Sequence, residues 1–471
     1  MLEFKNLSPE NALEMKPFLE KTNLTITDNT VGCLFMWRNN AKTMFTTYKD
    51  CMILKENFDD NTVAFRYPFS ISGDTVVEDE ALKQIERYVL EKQLNLNYCK
   101  LDESSLFKLV GRYKDRICIK NTRYWRDYYY NAEDLKQFKG GKYSGQRNHI
   151  NKFKKLYPEY EFKTFNNGDE PKLYTFLDEY EKTFNKNDEI AVEELQQTKE
   201  LINYIEKFDL KCGYIENKGK VIALSIAEVF KDCLIEHVEK ALIEYEGVYP
   251  LMVSEFAKQF CDNGINFINR EDDSGDLGLR RSKMQYKPIK LLDKLFIGIR
   301  RSIDELEKVP TILTERLTLK EIEYSDKREY NILSTDEELN KYWGYDYKQE
   351  IKQPITDNYF IDMVKRDFAK KSVVCLGVFL CGRLIGEVVM QYFDYFSGME
   401  IGARICSKFA KKGYGRESIS VASGWAMDAL NIEKIYSKCY KENESSKNML
   451  IKSGMRENGS DENFFYFLRE N

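Results

Sequence analysis

The strongest constraint on this chain is that it repeats itself. Gly213-Tyr-Ile-Glu-Asn-Lys-Gly219-Lys-Val-Ile-Ala-Leu-Ser-Ile226 is an apolar run, a polar turn ending in glycine, and a second apolar run. Gly377-Val-Phe-Leu-Cys-Gly382-Arg-Leu-Ile-Gly-Glu-Val-Val389 has the same form, its turn glycine 163 residues further on. Both predict β-hairpins pinned by a turn glycine. Each is followed by another strand-like run, at 234–238 and 399–405, then a helix, then a strand. The block reads as a repeated α+β unit. A fainter copy of the hairpin lies at 46–55.

The 471 residues suggest about three domains at ~150 residues each. One joint falls at Gly140-Gly141, where an aromatic, strand-like stretch (124–130) gives way to a basic, helical one (142–157). The other lies between Pro288 and Leu317. Residues 291–306 carry apolar side chains near helical spacing and predict a helix. Lys308-Val-Pro310 stops it, and an alternating strand opens at Thr311. The expected units are 1–140, 141–300 and 310–471.

Composition removes several function classes. No uninterrupted apolar run approaches the ~18–20 residues of a membrane span. Residues 1–19 lack a basic-then-apolar leader, so a cytoplasmic protein without a membrane span is expected. Eleven Cys without a C-x-x-C pair, and two His in all, predict reduced thiols and no metal site. A net charge of −5 argues against a dominant nucleic-acid surface.

The sharpest motif is Phe409-Ala-Lys-Lys-Gly-Tyr-Gly-Arg-Glu417, set between a strand and a helix whose apolar face is Ile419, Ala422, Ala426 and Leu430. A glycine turn opening a helix aims several N–H groups, and the positive end of the helix dipole, at one place. That suits a pyrophosphate. A strand at 434–439 follows, then Asn443-Glu-Ser-Ser446 and, later, Lys452-Ser-Gly454-Met455. Together with Thr314-Glu-Arg-Leu317, this ordered series resembles the GNAT acetyltransferases, and within them the ribosomal-protein N-terminal acetyltransferases, over residues 311–471. The resemblance implies acetyl-CoA as donor and a primary amine, of a peptide or small metabolite, as acceptor. It implies Lys411, Lys412, Gly413, Tyr414, Gly415 and Arg416 at the pyrophosphate. Ile405 would offer its backbone to the pantetheine arm or thioester, and Asn443 and Ser446 would contact the pantetheine arm or the nucleotide. Helix capping is the alternative for those last two. Ala410 stands where the family has Gln or Arg, and Leu450 where many relatives carry a Tyr that protonates the thiolate. Glu387 and Glu400, on strands expected to border the cleft, are the candidate bases, with exposed strand carboxylates as the alternative.

The first half has no Gly-x-Gly turn, and its corresponding stretch, Glu244-Tyr-Glu-Gly-Val-Tyr-Pro-Leu251, is acidic. Its motifs are Lys142-Tyr-Ser-Gly-Gln-Arg-Asn-His-Ile150, Ile235-Glu-His-Val-Glu-Lys-Ala241, Ile268-Asn-Arg-Glu-Asp-Asp273 and Leu279-Arg-Arg-Ser-Lys-Met-Gln-Tyr-Lys-Pro288. These resemble the C-terminal domain of phosphatidylglycerol lysyltransferase, a tandem GNAT-like fold related to Fem-type transferases, over residues 1–300. The resemblance implies three GNAT-like α+β units, each a mixed, mostly antiparallel sheet flanked by helices. It places Arg147, His149, His237, Glu239, Lys240, Asn269, Arg270, Glu271, Asp272, Arg280 and Lys283 on the family pattern. His237, Glu239, Asn269, Arg270, Glu271, Asp272 and Lys283 read either as a polar substrate pocket or as a buried ion-pair network. Aminoacyl transfer from tRNA by this half, or a non-catalytic binding role, are the alternative functions. The basic residues at 142–155 read more simply as a solvated helix face than as a tRNA surface.

Overall fold

The two glycine turns close two-residue hairpin loops in which both residues have positive φ: Lys218 (52°) and Gly219 (79°), then Cys381 (49°) and Gly382 (81°). That backbone matches the strands' right-handed twist. In the computed structural model, which describes residues 2–22, 24–58, 62–183, 189–262, 264–343, 348, 351 and 356–470, each hairpin starts the same block. Strands Lys211–Asn217 and Lys220–Phe230 form the first, and Val373–Leu380 and Arg383–Gln391 the second. An antiparallel third strand follows (Cys233–Ala241; Gly398–Ile405), then a helix (Val248–Phe260; Tyr414–Leu430), then a strand parallel to the third (Phe267–Asn269; Lys434–Tyr440).

The faint copy near the N-terminus completes the set. Met44–Tyr48 and Cys51–Asn57 pair as a hairpin, Val63–Phe65 adds antiparallel, helix Thr75–Glu91 crosses, and Leu96–Leu101 returns parallel. The chain is thus α+β, with three mixed, mostly antiparallel sheets flanked by helices. The first two sheets belong to one compact unit (Met1–Val89, Leu94–Arg112, Cys118–Gly298). The third forms another, Ile299–Asn471 with Leu90–Gln93 and Tyr113–Ile117.

Two expectations about the joints change. Strand Asp127–Asn131, ahead of Gly140, lies in the second sheet between Lys290–Leu292 and Phe267–Asn269. The stretch expected as a helix over 291–306 is instead strand Lys290–Leu292, strand Leu295–Ile299 in the first sheet, and a short 3₁₀ turn at Ser302–Glu305. Short apolar runs fit either period, and here one run joins the edge of the second sheet while the other inserts between strands Leu96–Leu101 and Ile117–Lys120 of the first.

In the C-terminal unit, one sheet face packs Leu376, Val388 and Ile401 against Ile419, Ala422 and Ala426 of helix Tyr414–Leu430. On the other, Cys375 and Phe379 meet Tyr330, Leu333, Phe360 and Ile361 from helices Lys327–Thr335 and Tyr359–Ala369. These helices leave the Gly398–Ile405 side of that face open to the cleft described next.

Candidate active site

Strands Gly398–Ile405 and Lys434–Tyr440 pair only at Gly398↔Lys434, Met399↔Ile435 and Glu400↔Tyr436, then run on apart. The splay exposes backbone. The Ser437 hydroxyl donates to the Ile401 carbonyl (2.8 Å), whereas the Cys406 N–H turns the other way, to Ile385 (2.8 Å). Two-residue alternation therefore puts the N–H and C=O groups of Ala403 and Ile405 on the open side. The splay opens into a cleft of about 1150 Å³, a little above the ~300–1,000 Å³ usual for small-molecule sites.

Glu387, Glu400, Ile405, Lys411, Gly413, Tyr414, Gly415, Arg416, Asn443 and Ser446 all line this one cleft. Lys412 is exposed beside it, and its carbonyl accepts from Arg316 Nη1 (3.1 Å). The turn has the form an anion needs. Gly413 is the helix N-cap at φ 84°, ψ 0°, with no side chain capping the helix. The N–H groups of Gly413 to Arg416 meet no acceptor among the described residues. A Cβ at Gly415 would lie 2.7 Å from Met449 Sδ, so only glycine leaves the cleft wall undisturbed. Asn443 does cap helix Glu444–Lys452, its side chain accepting from the Ser446 N–H at 3.0 Å, while both residues also face the cleft.

The two candidate bases differ. Glu387 is 2 % exposed and committed: Arg404 Nε donates to one oxygen (2.6 Å), and the Tyr330 hydroxyl (2.8 Å) and Cys375 thiol (3.2 Å) donate to the other. Burial, with Cys375 and Glu387 beside it, holds the Tyr330 phenol far above its ordinary pKa, so it stays a donor. Glu400 is half-buried at the apex of the splay. Among the described residues it accepts one hydrogen bond, from Gln391 Nε2 (3.1 Å), and pairs with no cation. Ladder register puts Glu387–Arg404, Val389–Gly402 and Gln391–Glu400 side by side on the face away from helix Tyr414–Leu430. Trp343 covers Gly402 and meets the Arg404 guanidinium at 4.9 Å. Sequence reasoning missed Tyr330, Trp343 and Arg404. The only available signal was the two-residue alternation that puts Arg404 on the same face as Glu400.

The second sheet repeats the splay and fills it. Strand Cys233–Ala241 pairs with Phe267–Asn269 only through Ile235. Arg270 occupies the gap beyond, bonded to Glu236 (2.8 Å) and Glu239 and lying 4.5 Å from the Tyr286 ring. Gly247 caps the following helix at φ 90°, ψ 4°, almost the geometry of Gly413, but its ideal Cβ position is 2.3 Å from the His149 carbonyl. That helix end is already covered. The remaining N-terminal candidates also serve one another. His237 meets Glu271 (3.1 Å) and Glu228 (3.7 Å), Asn269 donates to Asp127 (2.9 Å), and Lys283 donates to the carbonyls of Arg270 and Asp272. Lys294 binds Asp28, Asp127 and Asp272. Lys240 pairs with Glu194 (2.9 Å). Arg280 bonds Asp273 (2.9 Å), and Arg147 donates to the Phe138 and Gly140 carbonyls.

Known proteins divide the chain in the same way. The family described as phosphatidylglycerol lysyltransferase, C-terminal, matches residues 20–296, more than half of the sequence. The chain belongs to that family. Fused to this family region is an acetyltransferase (GNAT) domain, matched over residues 316–456. Two Bacillus subtilis (strain 168) proteins, the uncharacterized N-acetyltransferases YnaD and YoaA, are 29 % and 24 % identical over 152 and 160 residues. These matches span 31 % and 33 % of this chain and 84 % and 89 % of the relatives. A solved structure of a conserved protein of unknown function from Bacteroides thetaiotaomicron VPI-5482 superposes with a TM-score of 0.59 at 25 % identity, covering 64 % of this chain and all of its own. The GNAT domain makes the C-terminal part an acyltransferase domain that uses an acyl-CoA donor. No helix among the described residues is long and apolar enough to cross a membrane.

Proposed function

We propose that the C-terminal domain transfers an acetyl group from acetyl-CoA to a primary amine of a peptide or small metabolite. The observation carrying this reading is that N–H groups of the Gly413 turn, which meet no acceptor among the described residues, and the open edge of Ala403 and Ile405 face one cleft, with Glu400, a carboxylate that pairs with no cation among the described residues, at its apex. Acetyl-CoA supplies the activated thioester. The turn from Lys411 to Arg416 binds the pyrophosphate, and the Ala403–Ile405 edge aligns the pantetheine arm and thioester. Asn443 and Ser446 line the same cleft. Glu400 takes the proton from the entering ammonium and leaves a neutral nucleophile. Glu387 is a positioning residue, holding Arg404 and Tyr330 in the acceptor wall. In this reading the N-terminal half takes no part in acetyl transfer, because its equivalent splay holds Arg270 and its equivalent helix end abuts His149.

Isothermal titration of acetyl-CoA into the full chain tests the donor, and thiol release across an amine panel tests the acceptor. Saturable binding at micromolar ligand, followed by amine-dependent thiol release, is expected. No heat above background at high micromolar acetyl-CoA overturns the reading.

A further inference from the structure

The phosphate turn does not stand by itself. Glu417 lies in the first turn of its helix, only partly buried, where an anion held by the turn would meet a like charge. Residues at the start of the domain deal with that carboxylate. The Thr314 hydroxyl donates to one oxygen at 2.5 Å, and Arg316 donates to the other through Nε (2.7 Å) and Nη2 (2.6 Å). Burial favours the neutral acid, but these donors outweigh it and hold the Glu417 carboxyl below its ordinary pKa. Arg316 also donates through Nη1 to the Lys412 carbonyl (3.1 Å), and its guanidinium lies 4.7 Å from the Tyr414 ring. One side chain therefore touches the residues on both sides of Gly413 and neutralises the only acidic residue of the turn Lys411–Glu417.

We propose that Arg316 is a positioning residue for donor binding: it cancels the Glu417 charge and fastens Lys412 and Tyr414, so that the turn's N–H groups present an uncontested anion site. This rests on the acyl-CoA reading above. It assigns a task to Thr314-Glu-Arg-Leu317, a motif otherwise known here only as the opening of the domain.

The test is calorimetric titration of acetyl-CoA, with thermal melting as the check on folding, for the unaltered chain and for R316A, E417Q and R316A/E417Q. R316A is expected to weaken binding about tenfold, the scale of one charge-assisted hydrogen bond. E417Q is expected to bind at least as tightly as the unaltered chain, because Gln still accepts from Thr314 and Arg316 keeps its bond to Lys412. The double variant is expected to recover most of the R316A loss. Unchanged binding by R316A, or a double variant no better than R316A, overturns the inference while leaving the acyl-CoA reading intact. Should R316A not fold, E417Q decides, and a tenfold weakening by it counts as refutation. If the unaltered chain does not bind acetyl-CoA, both readings fall together.

Discussion

Exchanging one carboxylate for an amide, first at Glu387 and then at Glu400, separates two roles that the sequence could not distinguish. Glu387→Gln removes the only carboxylate bonded to Arg404 among the described residues, Arg404 being 9 % exposed, and weakens the acceptor for Tyr330 and Cys375. Removing one partner of a buried ion pair costs about 3–5 kcal/mol, because the remaining charge stays desolvated. For a unit of this size each kcal/mol moves the melting temperature by about 2–4 °C, so a fall of roughly 6–20 °C is expected in the C-terminal unit's transition. Glu400→Gln removes no ion pair among the described residues, so its stability change should stay within about 0.5 kcal/mol. On its proposed role as proton acceptor, however, the same change should lower turnover about 10²–10⁴-fold with acetyl-CoA affinity unchanged. Scanning calorimetry of the full chain reads the first effect. Thiol release with the best amine of the panel, set against a donor titration, reads the second. A Glu387→Gln chain melting within about 2 °C of the unaltered one, a shift of no more than about 1 kcal/mol, or a Glu400→Gln chain of full turnover, would refute the division of labour.

Gly415→Ala should leave the melting temperature nearly unchanged while weakening acetyl-CoA binding in the same titration, since the new Cβ, 2.7 Å from Met449 Sδ, pushes that flexible side chain into the cleft. Gly413→Ala should cost about 1–2 kcal/mol in a melt, because its φ of 84° strains any side chain. In the N-terminal unit, burial alone would lower the pKa of His237, but Glu228 and Glu271 outweigh it and raise it to about 9. A raised pKa means that the stabilisation is complete below pH ~6.5 and is lost as the pH climbs through about 9. The melting temperature of unaltered protein minus that of His237→Gln should therefore shrink over that interval, and a constant difference refutes the assignment.

The glycine turns at Gly219 and Gly382 made two of the three repeated blocks legible, because positive φ at a two-residue loop leaves a visible residue choice. The first block was faint for the same reason. Its loop is Lys49-Asp50, with Lys49 at φ 51° and no glycine, and its third strand is only Val63–Phe65. Residues 291–306 misled because Lys294, a buried base held by three carboxylates, interrupts an apolar spacing that a helix would also satisfy. In the candidate site, the Gly413 turn was readable as local chemistry. The commitment of Glu387 was not, since Tyr330 and Arg404 reach it from elements 57 and 17 residues away.

The twin openings in the second and third sheets carry a lesson for reading such chains. Strand pairing that lapses at the same point and helix caps of nearly the same dihedral angles give one backbone frame two linings: in one copy a guanidinium fills the splay, and in the other glycine keeps side-chain atoms out of the turn. Superposing backbones would hand both copies the same job. Three residues, Arg270, His149 and Gly415, separate the filled opening from the one proposed to hold the donor.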